Sequence, residues 1–190
     1  MPTLRQLAPA IRILAVMTVL LGLAYPLVIF GIGRVMSERT DGSLVQVDGR
    51  VVGSSLLAQG FDQDGYFWPR PSVGGYDPMA TGGSNLGPNN PDLTQTIEER
   101  RAAVAAATGV APEQVPADAV TASASGLDPD ISPEYAAIQV TRVAQARGLA
   151  PDAVRELVAE HTHGRALGFL GEPGVNVLAL NLALEQLSTR

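Results

Sequence analysis

The first candidate for chemistry is the glycine-rich run at residues 82–87, which reads GGSNLG. A phosphate-binding loop needs Gly-Lys-Ser/Thr at its end, and the chain has no lysine. A nucleophile elbow of the form G-x-S-x-G needs a glycine where Leu86 stands. The run therefore favours an ordered loop backbone over a nucleotide site or a hydrolytic site.

The two histidines, His161 and His163, are two residues apart. We expect them near the end of a helix, where this spacing points the rings about 200° apart and prevents shared metal binding. A helix C-terminus favours imidazolium, so we interpret both as capping or surface residues. A serine hydrolase that pairs Ser84 or Ser123 with one of them remains an alternative, although no pattern supplies the His–Asp geometry.

Two carboxylates, Asp128 and Asp130, flank a proline just before Ser132. Turn formation ahead of a helix cap accounts for aspartate, proline and serine at these positions without a metal. We therefore predict neither a catalytic group nor a metal ligand here.

Three polar residues, Gln139, Arg142 and Arg147, fall on one predicted helix. They form a polar face that could meet a partner or an anion, with solvated surface charge as the default. Direct nucleotide binding by the two arginines is a further alternative. Arg70 lies between two prolines, and we expect this stiff backbone to hold it in a buried hydrogen-bond fork.

Composition narrows the chemistry further. The 190 residues include no cysteine and no lysine, which excludes thiolate nucleophiles, disulfides, cysteine-ligated metals and Schiff-base lysines. The formal charge of −6 argues against a nucleic-acid partner, since phosphate neutralisation needs a basic face. We predict no catalytic residue, no metal and no intrinsic cofactor.

One apolar segment must anchor the chain. Residues 13–33 carry no charge, and 21 helical residues span about 31 Å, the thickness of a bilayer core. A signal peptide would have a shorter apolar region and a small-residue cleavage site. We predict an uncleaved transmembrane helix at 13–33, a short cytoplasmic N-terminus at 1–12 and an extracytoplasmic domain at 34–190. Arginine counts on the two sides barely differ, so orientation rests on the acidity of the large domain.

The predicted extracytoplasmic domain is α+β, loop-rich and single. Asp48-Gly49 between two apolar runs predicts a hairpin over 44–52. Cap-plus-proline signals predict helices that begin at Pro91, Pro133 and Pro151 and stop at Gly109, Gly148 and near Gly164.

The other segments are less regular. Residues 60–90 contain most aromatic residues outside the anchor, which predicts an ordered, packed loop. Residues 115–131 form a second irregular stretch. The last apolar segment, 175–187, fits a helix, and its alternating start also allows a strand.

Ordered sequence blocks along almost the whole chain resemble one family, the C subunit of the Kdp high-affinity potassium-transporting ATPase. Three positions depart from the family pattern: Asp130 replaces its usual histidine, Thr81 a serine and Gly174 an arginine. The blocks include Asp41-Gly42-Ser43-Leu44, Arg70-Pro71-Ser72, Gly82-Gly83-Ser84-Asn85-Leu86-Gly87-Pro88, Ser125-Gly126-Leu127-Asp128-Pro129, Ile131-Ser132-Pro133, Gln139-Val140 and Val175-Asn176-Val177-Leu178.

The resemblance implies a non-catalytic, single-span accessory subunit in the inner cell membrane. Its implied partners are membrane lipid, a channel-like potassium-translocating subunit, a P-type ATPase subunit and a small hydrophobic subunit. The family is described as a catalytic chaperone that raises the ATP affinity of the ATPase subunit, so ATP enters only through that partner. Our candidate docking residues are Arg70, Ser84, Asn85, Asn90, Ser123, Asp128, Ser132, Gln139, Arg142 and Arg147.

Overall fold

The computed structural model describes residues 2–188, with side chains described from residue 5 onwards. The chain divides into two compact units, Met1–Leu44 and Val45–Arg190. The first unit is largely one apolar helical rod. The second contains mixed helices and strands, which agrees with the predicted α+β class.

In the first unit, helix α1 (Pro2–Val19) continues through a π-helical turn at Leu20–Ala24 into helix α2 (Tyr25–Val35). Pro26 accounts for the turn, because proline lacks an N–H and its ring clashes with the carbonyl four residues earlier in a regular α-helix. The stretch Arg5–Val35 is long and apolar enough to cross a membrane, and none of its most apolar window is buried. The charge-free run that predicted an anchor therefore lies inside a longer helix.

A short helix α3 (Ser37–Thr40) precedes the predicted hairpin of β1 (Leu44–Val47) and β2 (Arg50–Ser54). Asp48 and Gly49 have φ angles of 49° and 76°. Two consecutive positive φ angles are the requirement of a type I′ turn, so the Asp-Gly signal is confirmed.

Helices α4 (Pro91–Thr108) and α6 (Pro133–Arg147) have their predicted boundaries. The side chains of Asn90 and Ser132 accept hydrogen bonds from backbone N–H groups two and three residues later, which caps the helix starts. Each helix ends at a glycine in the left-handed conformation, with φ of 73° and 66°.

Helix α7 (Pro151–Glu160) starts where predicted and ends before the predicted stop near Gly164. That end point is wrong because Thr162–His163 leaves the helix to form strand β4. His163 therefore lies on a strand, and only His161 is at the helix end.

The stretch 115–131 is more regular than predicted. A 3₁₀ turn (Pro112–Gln114) leads to it, a short helix α5 (Ala117–Val120) lies within it, and strand β3 (Asp130–Ile131) ends it. Such two- to four-residue elements are set by contacts with distant segments, and periodicity in the sequence does not reveal them.

The C-terminal segment combines both of its predicted alternatives. Strand β5 (Gly174–Asn176) leads directly into helix α8 (Val177–Ser188). β5 is the central strand of an antiparallel sheet with the order β3-β5-β4, in which Val175 lies opposite both Ile131 and Thr162.

The core of the second unit lies between α4, α6, α7, α8 and the three-stranded sheet. Helix α6 packs against both α4 and α7, and α7 packs against α8. The side chains with 2 % exposure or less in this core are those of Phe67, Ala119, Val120, Ile131, Tyr135, Ala136, Val143, Ala144, Val154, Val175, Val177, Leu180 and Leu184.

Candidate functional site

The segment 60–76, here called the aromatic loop, is held on the helices by two buried carboxamides. Gln139 on α6 accepts a hydrogen bond from the Trp68 N–H at 2.7 Å and donates to the Trp68 carbonyl at 3.2 Å. Asn181 on α8 makes the same pair of bonds with Phe67, at 2.8 and 3.0 Å. Each side-chain carboxamide therefore satisfies the backbone N–H and the backbone carbonyl of one loop residue, as a neighbouring β-strand would.

Arg142 holds the start of the same loop. Its guanidinium donates to the carbonyls of Asp64 at 2.6 Å and Tyr66 at 3.0 Å, and to the Gln139 side-chain oxygen at 2.7 Å. The guanidinium carbon lies 3.8 Å from the centre of the Trp68 ring, which adds a cation–π contact. Arg142 is 7 % exposed, and burial lowers its pKa from the ordinary arginine value.

The default of solvated surface charge is thus wrong for Arg142. The polar face of α6 packs against the chain's own aromatic loop. Sequence periodicity located the face and could not show what covered it, because its hydrogen-bond partners lie more than 70 residues away. Docking of another molecule through Gln139 or Arg142 stays a prediction, and it requires that these bonds be exchanged.

Arg147 extends this network to the end of α8. It donates to the Gly65 carbonyl and pairs with Glu185 at 2.6 Å, and its guanidinium carbon lies 4.6 Å from the Tyr66 ring centre. The Tyr66 hydroxyl donates to the same Glu185 carboxylate. Hydrogen bonds from Arg147 and then from Tyr66 lower the pKa of Glu185. Bonding to Glu185, together with burial, raises the pKa of Tyr66.

A second loop, residues 121–128, packs against the first and is called the serine loop below. The Ser123 N–H donates to the Pro71 carbonyl at 3.2 Å, and the Gly82 N–H donates to the Ser125 carbonyl at 2.8 Å. Gly126 has φ of +71°, and a Cβ there would lie 3.0 Å from the Gly82 carbonyl oxygen. Only glycine fits this crossing without displacing the backbone.

Arg70 joins the two loops by a charge pair. Its Nη1 lies 2.8 Å from the Asp128 carboxylate, and the two side chains are 26 % and 33 % exposed. Nη1 is the nitrogen that pairs with Asp128, and within residues 5–188 the buried Nε has no hydrogen-bond partner, so the expected fork does not involve Nε. Arg70 is therefore partly buried and paired, and it is not a fully solvated surface charge. Its carbonyl also accepts the Tyr76 hydroxyl at 3.0 Å.

The remaining candidate docking residues occupy different environments. Ser84 and Asn85 are exposed, and Asn85 has a left-handed φ of 54°. Ser123 is 3 % exposed, so its side chain belongs to the loop–loop interface. Ser132 caps α6 and donates to Asp118 at 2.9 Å, while Asn90 caps α4. The ten candidates thus include both surface groups and groups that fix the loops.

The imidazoles contact neither candidate serine through their described hydrogen bonds. His161 Nδ1 lies 2.9 Å from the Leu157 carbonyl, which fits the predicted role at a helix end. His163 Nε2 on β4 lies 3.3 Å from the Asp130 carboxylate on β3, across the central strand β5. Among the described residues, no group of three or more histidine, aspartate or glutamate side chains could hold a metal ion.

Sequence reasoning missed Asn181, Glu185 and the role of Trp68. One signal was available for Asn181: it is a lone amide within the apolar run VLALNLAL of α8. A polar group on a buried helix needs a partner, so that position predicts a buried hydrogen bond. Nothing local identifies Trp68 as the residue to which Gln139 binds.

Comparison with known sequences identifies the family of the chain. The family described as "KdpC: K+-transporting ATPase, c chain" matches residues 7–186. The chain belongs to this family. A Potassium-transporting ATPase KdpC subunit from Kineococcus radiotolerans is 60 % identical over 95 % of this chain and 93 % of its own length. Proteins of the same name from Geobacter sulfurreducens and Sorangium cellulosum are 51 % and 53 % identical over 97 % and 96 % of the chain.

The KdpC family assigns the chain an accessory role in potassium transport, as a subunit of an ATPase complex. The helix Arg5–Val35 fits a subunit that is anchored in a membrane by a single span. The resemblance found in the sequence blocks is thereby confirmed.

Proposed function

We propose that the chain is a non-catalytic subunit that assembles and tunes the channel-like and ATP-hydrolysing subunits of a potassium pump. The proposal is supported chiefly by one observation, the fixation of the aromatic loop by Gln139, Arg142 and Asn181. Residues 57–90 contain no helix or strand, yet their backbone is bound to buried side chains. A loop fixed in this way presents a preorganised surface, which lowers the entropic cost of docking.

The proposed site of action is outside the membrane. Residues 35–190 contain 10 arginines and 19 acidic residues, a net charge of −9. A domain of this charge at the potassium entrance of a channel-like subunit raises the local cation concentration, within a screening distance of about 8 Å. The N-terminus then lies in the cytoplasm, and the single helix crosses the inner membrane.

The effect on ATP that the family description implies would then be transmitted through the partner subunits. Arg142 and Arg147, the candidate nucleotide ligands, already donate to loop carbonyls and to Glu185. A phosphate would have to replace these bonds. We therefore propose that ATP binds to the ATPase subunit alone and that docking of this chain shifts its affinity.

Protease accessibility from the two membrane faces tests the proposed location. Inside-out and right-side-out vesicles that hold the full complex are treated with a protease, and cleavage within residues 45–188 is followed by mass spectrometry. Cleavage from the external face alone is expected. Cleavage from the cytoplasmic face alone would contradict the external model and would favour direct contact with the nucleotide.

A further inference from the structure

A small hairpin at residues 165–172 exposes three large apolar side chains. Leu167, Phe169 and Leu170, here called the apolar tip, are 83 %, 70 % and 50 % exposed. Ala166 and Leu170 exchange two backbone hydrogen bonds of 2.9 Å, which closes the hairpin. At its base, Arg165 pairs with Glu172 at 2.6 Å. The tip is therefore an ordered projection.

The residues of this turn are not the ones that its backbone conformation favours. Leu167 and Gly168 have φ angles of 54° and 83°, and the Phe169 N–H donates to the Ala166 carbonyl at 3.3 Å. These are the φ angles of a type I′ turn, whose first central position favours asparagine or aspartate. A leucine at positive φ is strained, and its side chain, which is 83 % exposed, buries little apolar surface in return. Folding of the domain alone thus gives no reason for leucine at this position.

We infer that the apolar tip inserts into an apolar recess on another protein subunit of the potassium-transporting ATPase. The inference rests on the proposed function, and it adds a contact outside the aromatic and serine loops. Three adjacent apolar side chains on a fixed turn resemble the buried anchors at the centre of protein interfaces. The two flanking charges neutralise each other, so burial of the tip leaves no unpaired charge.

Charge decides between a protein partner and the lipid surface. The net charge of −9 on residues 35–190 repels an anionic bilayer surface. Arg165, the cation of this hairpin, is already paired with Glu172 at 2.6 Å, so it does not act as an unpaired cation toward a lipid headgroup. A neutral apolar recess on a protein would neither repel the acidic domain nor require an unpaired cation beside the tip.

The test compares two tip variants with a matched control in the full complex. Leu167→Asn relieves the turn and removes the apolar group, Phe169→Ser removes the ring, and Met79→Ser changes an apolar side chain that is 92 % exposed in another loop. Affinity-tagged full-length chain is titrated in detergent with the other subunits. We expect both tip variants to bind about tenfold more weakly than the wild type, and Met79→Ser to bind equally well.

The outcomes separate the two proposals. Wild-type chain that fails to bind any other subunit contradicts the proposed function itself. Wild-type chain that binds, with both tip variants binding equally well, overturns only the role of the tip. The thermal unfolding midpoint of Leu167→Asn is expected to equal or exceed that of the wild type, so weaker binding by this variant cannot be assigned to unfolding.

A second measurement separates protein from lipid. Phe169→Trp adds a second tryptophan to this chain, beside Trp68, and the same complex assembled with the wild-type chain supplies the background fluorescence. In the complex reconstituted into vesicles with brominated lipids, the added fluorescence is expected to remain unquenched. Strong quenching would overturn the proposed protein contact in favour of the bilayer.

Discussion

Replacement of Gln139 by methionine tests whether buried side chains fix the aromatic loop. The change removes two hydrogen bonds to Trp68 and one to Arg142, while methionine fills a similar volume. It leaves the Trp68 N–H and carbonyl unpaired, at about 1–3 kcal/mol for each buried group. Because Trp68 is partly exposed, we expect the free energy of unfolding to fall by about 3 kcal/mol.

The assay is urea unfolding of the full chain in detergent, followed by fluorescence of Trp68, the single tryptophan. With a slope of about 2 kcal/mol per molar urea, a loss of about 3 kcal/mol lowers the midpoint by about 1.5 M. Gln145→Met provides the control, because Gln145 is exposed on the same helix. We expect it to leave the midpoint unchanged.

Amide hydrogen exchange then locates the effect. In Gln139→Met, exchange at the Trp68 N–H is expected to accelerate more than exchange at the Phe67 N–H, which Asn181 still protects. Equal midpoints for the Gln139 and Gln145 variants would refute the reasoning, since the carboxamide would then contribute nothing to loop fixation.

Three further predictions concern charges and chemistry. In a double-mutant cycle of Arg70→Met and Asp128→Asn, we expect a coupling of about 0.5–1 kcal/mol, because both side chains are partly exposed. Because the pKa of Glu185 is lowered in the folded state, its contribution to stability is complete above about pH 4.5 and is lost as the pH falls through the folded-state pKa. We therefore expect the free energy of unfolding of Glu185→Gln to depend less on pH in this acidic range. An active-site serine probe is expected to leave the full chain unlabelled, because the described hydrogen bonds of both imidazoles go elsewhere.

Each of these predictions has a contrary result. A coupling near zero would mean that the Arg70–Asp128 pair adds nothing to the contact between the loops. If the free energy of unfolding of Glu185→Gln depended on acidic pH as it does in the wild type, the Arg147–Glu185 contact would not contribute to stability. Labelling that Ser84→Ala or Ser123→Ala abolishes would favour the hydrolase alternative.

Local signals in the sequence predicted the elements that depend on local chemistry. Asn90 and Ser132 determine where two helices start because their side chains bind backbone N–H groups within the first turn. Asp48-Gly49 predicted a hairpin because few residue pairs accept two positive φ angles. The charge-free run at 13–33 predicted an apolar helix because its length matches a bilayer.

Features that depend on distant contacts could not be predicted in this way. Periodicity placed Gln139 and Arg142 on one helix face, but the loop that covers this face lies more than 70 residues earlier. His163 lies outside helix α7 because it belongs to strand β4, where it pairs with Gly174 of β5. Leu167 in a strained turn carries no sequence signature, since Asn-Gly is the pair that predicts such a turn.

Potassium-stimulated ATP hydrolysis by the assembled pump tests the central claim most directly. The complex is purified without this chain, and the rate is measured as a function of ATP concentration before and after the full-length chain is added back. The accessory role predicts low activity that rises on add-back, with a lower KM for ATP. Undiminished activity and intact assembly in the absence of the chain would contradict it.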